Sequence, residues 1–297
     1  MFRNTRHIHL VAVGGIGMSG IAEILLNLDY RVSGSDLHES KSTLRLAEMG
    51  ATIFIGHKAE QISGADVIVY SSAVPESNPE LIEARRNKVP VIRRAEMLAE
   101  LMRLKYGIAV AGSHGKTTTT SLIAEALVGG NLDPTVVVGG RALATGANAV
   151  LGKGEYLVAE ADESDGSFLK LLPTLAVVTN MDLEHVDFYP DMDALRDAFR
   201  TFLDKVPFYG AAVLCIDDPE VRALIPGLDR KIITYGFSDD AEVKAVKNDS
   251  GEVSVFVNGS ELGVLSIQLP GDHNILNALA AVAVGMELGV SFGQISL

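Results

Sequence analysis

Residues 112–117 read Gly-Ser-His-Gly-Lys-Thr, and their order is that of a phosphate-binding turn. The apolar run Tyr106–Ala111 (YGIAVA) before it suits a buried strand, and SLIAEALVG from Ser121 has helical spacing. In a strand–turn–helix of this kind, successive backbone N–H groups point inward at phosphate oxygens, and the helix N-terminus adds partial positive charge. Gly112, Ser113, His114 and Gly115 would form the cradle, with Thr118 beside it. Lys116 would reach the β and γ phosphates, and the Thr117 hydroxyl would hold Mg²⁺. The longer form G-x-x-x-x-G-K-[ST] is not met, because position 110 is Val. A glycine-rich turn that binds nothing is the competing reading.

Three more constellations carry possible chemistry. Gly15-Ile16-Gly17-Met18-Ser19-Gly20 follows one strand and opens a helix, and Asp36 ends the next strand. That is the G-x-G-x-x-G arrangement with a downstream acid. Its glycines let backbone amides approach a pyrophosphate, which could belong to NAD or to a UDP-sugar; a tight βα turn without ligand is the third possibility. The run Glu160-Ala161-Asp162-Glu163-Ser164-Asp165 ends the apolar strand YLVAEA. Glu160 belongs to the strand end and suits a hard Mg²⁺, whereas Asp162, Glu163 and Asp165 read as a solvated acidic loop. Finally, His185 closes Thr179-Asn180-Met181-Asp182-Leu183-Glu184-His185 after the run LAVV. It lies past a third strand end, where open α/β sheets gather their sites, and is a candidate second metal ligand.

The elements that must position these residues follow an α/β rhythm. Strands at 8–13, 30–35, 51–55, 66–72 and 89–92 alternate with helices near 17–28, 41–49, 79–87 and 94–104, which predicts a Rossmann-like, doubly wound parallel sheet. A second α/β pattern starts at the phosphate turn, so the boundary is placed at Lys105, giving domains 1–105 and 106–297. Strands at 135–138, 156–161, 175–180 and 211–216 and a helix near 193–204 continue it. From 230 on, KIITYGF, AEVKAVK, EVSVFVN and ELGVLSI read as a small antiparallel appendage, with turns at 248–251 and Asn258-Gly259. A helix near 274–288 closes the pattern.

Composition bounds the partners. The 297 residues favour two domains. The 38 acidic against 25 basic residues, net −13, argue against nucleic acid. The lone Cys215, inside AAVLCI, reads as a buried core thiol and fits a reducing cytoplasm. HLVAV is too short for a signal-peptide core, and no run reaches the ~20 apolar residues of a membrane span.

With these residues in place, the chain resembles the Mur ligases of peptidoglycan synthesis. GGIGMSGIAEILLNL, YRVSGSD, AGSHGKTTTTS, EADESDGSFL, VTNMDLEHVDFY and GDHNILNALAAVAV carry the likeness in order along nearly the whole chain. The resemblance implies ATP-dependent joining of L-alanine to UDP-N-acetylmuramate through an acyl phosphate, with ATP and Mg²⁺. It places Gly15, Ile16, Gly17, Met18 and Ser19 on the UDP-sugar diphosphate, and Asp36, His57, Ser71 and Ser72 near the nucleoside. It gives Lys116, Thr117 and Glu160 to the triphosphate and metal, and a second Mg²⁺ to His185. His273, Asn274 and Asn277 would bind adenine, where their residue types alone suggest polar helix caps. Mur ligases carry a third, C-terminal domain, and this chain stops at Ser296-Leu297. The expectation is a fragment that binds UDP-N-acetylmuramate, binds ATP weakly and ligates poorly. A murein tripeptide recycling ligase, a nicotinamide-dependent dehydrogenase and a nucleotide sensor without turnover are the other readings.

Overall fold

In the computed structural model, residues 5–138, 149–249, 251–267 and 269–295 are described. Ser250 of the first predicted turn and the terminal Ser296-Leu297 lie outside them. Contacts divide the described residues into two compact units: Met1–Leu101 with Val137–Leu151, and Met102–Val136 with Gly152–Leu297. Among the described residues no helix is long and apolar enough to cross a membrane.

The first unit is a five-stranded parallel sheet. Its strands are β1 (His7–Val11), β2 (Arg31–Asp36), β3 (Thr52–Ile55), β4 (Val67–Tyr70) and β5 (Val91–Arg93), in the order β3-β2-β1-β4-β5. Helices α1 (Ile16–Asn27), α2 (Lys41–Glu48), α3 (Pro79–Arg86) and α4 (Arg94–Met102) alternate with them. All five residues of β1 are buried, as expected of a central parallel strand covered on both faces. The strand order reverses at β1, which pairs with β2 on one side and β4 on the other, so its C-terminal end is the switch point at which open α/β sheets form a crevice.

The second sheet and its helices are β6 (Tyr106–Ala111), α5 (Lys116–Gly129), β7 (Thr135–Val137), β8 (Ala149–Val150), β9 (Tyr156–Glu160), β10 (Leu175–Val178), α6 (Met192–Leu203), β11 (Ala211–Cys215), α7 (Pro219–Arg222), β12 (Lys231–Gly236), β13 (Val243–Lys247), β14 (Val253–Val257), β15 (Ser260–Leu265) and α8 (Asp272–Glu287). Central β6 pairs in parallel with β10 on one side and β9 on the other, so its C-terminal end is again a switch point. Helices α5 and α8 bury Ile123, Ala126 and Leu127 with Ala278, Leu279 and Val282 in one apolar core over the sheet.

Three expectations change. The predicted antiparallel appendage began at 231, but β12 pairs in parallel with β11, and β13 pairs in parallel with β12; only β13–β14–β15 is antiparallel. The hairpin at Asn258-Gly259 forms as read, with φ 49° and 79°. Helix α5 starts at Lys116 rather than Ser121, so all four threonines are helical; Thr119 and Thr120 are buried. Helix α8 starts at Asp272, capped by no side chain, so His273 and Asn274 lie in its first turn and not ahead of it as caps.

Candidate functional site

The loop after β6 is shaped from two sides. Gly115 caps α5 at φ +81°, and a Cβ there would come within 2.7 Å of Asn277 Oδ1 on α8. That oxygen accepts the buried Thr119 hydroxyl at 3.0 Å, which gives the third threonine of the run its role. From the other side, the segment after β10 holds the loop. Ser113 N–H donates to the Asn180 carbonyl (3.1 Å), His114 N–H donates to Asn180 Oδ1 (2.8 Å), and Thr179 Oγ1 and Asn180 Nδ2 donate to the His114 carbonyl (2.7 and 3.0 Å). Asp182 N–H donates to Ser113 Oγ (2.9 Å). The exposed His114 ring sits 3.2 Å from Asp182 Oδ2 and 3.7 Å from Glu184 Oε1. Thr179 and Asn180 were quoted in the sequence motif but given no role; here they fix the turn.

The parallel register brings Glu160 to the same edge. Glu160 of β9 stands opposite Val110 of β6, and the Ala161 N–H donates to the Val110 carbonyl (2.8 Å). Val178 of β10 stands opposite Ala111. The ends of β9, β6 and β10 therefore meet where the loop begins.

One sequence reading is overturned here. Glu163 was read as part of a solvated acidic loop, but it is 2% exposed and pairs with the loop lysine. Its Oε1 and Oε2 each lie 3.0 Å from Lys116 Nζ. Burial pushes its carboxyl above the usual range, and the Lys116 ammonium pulls it back. Asp162 and Asp165 are half-buried and accept the Ser164 and Ser167 N–H groups (3.1 and 2.9 Å). Tyr189 closes the far side, donating to the Glu163 carbonyl (2.7 Å), and burial pushes its phenol up.

Thr117 and Glu160 are oxygen donors of the kind that suit Mg²⁺, which keeps waters and phosphate oxygens rather than filling an all-protein cage. The described residues contain no group of three His, Cys, Asp or Glu side chains able to hold a metal. His185 is exposed, at φ +55°, in a turn whose carbonyl accepts from Phe188 and Tyr189. The structure does not assemble it with Glu160 into such a group.

A cavity of about 350 Å³ adjoins the loop, lined by His114, Gly115, Asn180, Tyr235, His273 and Asn277 among others. Asn274 faces its neighbours instead, donating to the Pro270 carbonyl (2.7 Å) and accepting from Asn277 (3.3 Å). Asp217 and Asp218 also line the cavity, unforeseen from sequence. Asp217 accepts from Phe237 and Ser238 N–H (2.7 and 2.9 Å), and Asp218 caps α7. Cys215 is 2% exposed, as read, and burial pushes its thiol up to about 11.

In the first unit, Gly15 and Ile16 are exposed at the start of α1, which has no side-chain cap. The Met18 and Ser19 side chains are buried, and the Ser19 hydroxyl donates to the Ile16 carbonyl. Arg94 lies along Gly17. Asp36 Oδ2 accepts the Gly14 N–H (2.8 Å) and pins the turn. A cavity of about 430 Å³ at the crevice is lined by Ala12, Asp36, His57, Pro75 and Asn78, among others, but not by Ser71 or Ser72. Behind it runs a buried polar chain that the apolar strand patterns hid. His7 Nε2 and His9 Nδ1 share Ser33 Oγ (2.8 and 2.7 Å). The wholly buried Glu80 takes the Ser35 hydroxyl (2.7 Å) and faces His57 Nδ1 (3.2 Å) and His9 Nε2 (3.6 Å). Burial lowers His7 below its ordinary value.

Comparison with known proteins agrees with this architecture. Residues 7–106 match the model of the Mur ligase family catalytic domain, and residues 110–285 match that of the Mur ligase middle domain. The chain is 56% identical over 299 residues to the UDP-N-acetylmuramate–L-alanine ligase of Desulfatibacillum aliphaticivorans, and 57% identical over 300 residues to that of Syntrophotalea carbinolica. These alignments cover 99% and 100% of this chain and 66% of each relative, so the chain spans just under two thirds of their length. The crystal structure of UDP-N-acetylmuramate–alanine ligase MurC from Thermotoga maritima is similar at TM-score 0.83 and 30% identity, covering 97% of this chain and 66% of that one. A UDP-N-acetylmuramate:L-alanyl-γ-D-glutamyl-meso-diaminopimelate ligase from Neisseria is similar at TM-score 0.88 and 26% identity, covering 98% and 95%.

Proposed function

Because the chain belongs to the Mur ligase family, we propose that it carries the UDP-sugar and ATP sites of an enzyme joining L-alanine to UDP-N-acetylmuramate. The single observation behind this is the meeting of the 112–117 loop, Lys116 and the strand-end acid Glu160 at one sheet edge, beside a cavity lined by His273 and Asn277. In this reading residues 1–105 hold UDP-N-acetylmuramate and residues 106–297 hold ATP, in the cytoplasm. Identity above 50% to L-alanine ligases favours that amino acid over the tripeptide-recycling reaction.

An amine does not attack a carboxylate at useful rates, because negative charge repels the nucleophile and oxide is a poor leaving group. The sugar's lactyl carboxylate therefore attacks the γ-phosphorus of ATP, displacing ADP and forming an acyl phosphate. The L-alanine amine then attacks the activated carbonyl, loses a proton, and expels phosphate. The loop amides and Lys116 hold the phosphates and offset the charge on the transferring phosphoryl group. Thr117 and Glu160 would hold Mg²⁺, with His185 the candidate for a second ion; the metal supplies further charge neutralisation. Gly15, Ile16 and Gly17 offer backbone amides to the sugar's diphosphate.

Calorimetric titration tests the assignment. UDP-N-acetylmuramate is expected to bind at one site, and NADH not at all. A dehydrogenase would show the reverse, and it would leave Lys116, Thr117 and Glu160 without a role.

A further inference from the structure

Lys116 is central to the proposed phosphate chemistry, yet its ammonium is already surrounded. Nζ lies 2.6 Å from the Gly112 carbonyl oxygen, 3.2 Å from that of Ser113 and 3.0 Å from both Glu163 oxygens. An ammonium has three N–H donors, and the Gly112 carbonyl, the Ser113 carbonyl and Glu163 Oε1 take all three, while the buried Glu163 Oε2 stays within ion-pair distance without a hydrogen bond. Asp162 and Asp165 are occupied by backbone N–H groups of their own loop, so Glu163 alone of these acids serves as the counter-anion. With Glu163 2% exposed, water compensates little of its charge.

We propose that Glu163 is a positioning residue that holds Lys116 in the nucleotide-free protein and competes with the incoming polyphosphate for its ammonium. The inference rests on the phosphate-site reading of residues 112–117. Phosphate oxygens approaching Nζ need the same N–H groups that the carboxylate holds. If the lysine turns to phosphate, a buried carboxylate loses its partner; if it keeps both, two anions share a poorly hydrated space. Each case costs nucleotide affinity. Glu163 thereby ties the aim of the lysine to phosphate arrival and keeps the empty site from gripping weaker anions. Removing its charge tightens ATP binding, whereas loss of a merely structural contact would weaken binding or leave it unchanged.

The test is calorimetric titration of Mg–ATP into the whole chain and into Glu163→Gln, which keeps the size and an acceptor oxygen. The expected result is roughly tenfold tighter binding by the variant. Wild-type protein that binds no ATP refutes the phosphate-site reading itself. Wild-type protein that binds ATP, with E163Q binding equally or more weakly, overturns the role of Glu163. Should the melting curve show E163Q unfolded, Glu163→Asp withdraws the charge by one methylene. It predicts a smaller tightening, and unchanged or weaker binding overturns the proposal there too.

Discussion

Replacing Gly112 by alanine adds one methyl group where β6 enters the 112–117 loop. Gly112 holds φ +133°, and a Cβ there would lie 2.2 Å from Thr179 Oγ1 and 3.0 and 3.1 Å from the Asn180 backbone oxygen and nitrogen. The backbone cost of a non-glycine residue in such a region is about 1–3 kcal/mol, and the crowding adds about 1–3 kcal/mol. Thr179 must also turn away and give up its 2.7 Å bond to the His114 carbonyl, worth about 1 kcal/mol. The total, roughly 3–7 kcal/mol, approaches the stability of a whole domain. Gly289→Ala is the control: φ is +81° and nothing lies within 4 Å, so only the backbone cost applies. At about 2–4 °C per kcal/mol, thermal melting should drop by a few degrees in the control and by about 6 °C or more in Gly112→Ala. Calorimetry should find ATP affinity kept in the control and cut at least tenfold, as a ~1.4 kcal/mol loss requires, in Gly112→Ala. Wild-type affinity in Gly112→Ala, with melting like the control, refutes the reasoning.

Lys116→Ala strands the buried Glu163 carboxylate and should cost about 3–5 kcal/mol in urea unfolding; adding Glu163→Gln should recover part of it. Cys215, with its thiol near 11, should resist iodoacetamide at pH 8 until denaturant is added, and rapid labelling of native protein contradicts its burial. His7 has a folded-state value below 6.5, so the unfolded chain takes up the proton first as pH falls. Its contribution to stability is present above pH 6.5 and is lost below it. Melting temperature should therefore fall from pH 7 toward pH 5, with a shallower slope in His7→Gln; an unchanged slope contradicts the assignment.

The strand–turn–helix around 112–117 was legible because its glycines, lysine and flanking apolar runs are contiguous. The strand that ends in Glu160 and the strand LAVV were legible as short apolar runs. Glu163 was not: a run of four acids reads as solvated, and only the chain's return after β9 turns its third acid onto a lysine 47 residues away. The role of Thr119 was hidden in a similar way, because its partner Asn277 is 158 residues distant. For β12, the hairpin signals that follow it suggested antiparallel pairing, but the short α7 returns the chain beside β11 in parallel. The polar chain through His9 and Glu80 was hidden because buried strand and helix positions mask which polar groups meet.

The most direct measurement is titration of the chain with ATP, with and without Mg²⁺, against Thr117→Ala and Glu160→Gln. One site whose affinity rises with Mg²⁺, and which loses that rise in both variants, is the predicted result. Binding indifferent to the metal and to both substitutions would contradict the placement of the triphosphate and its cation at this sheet edge.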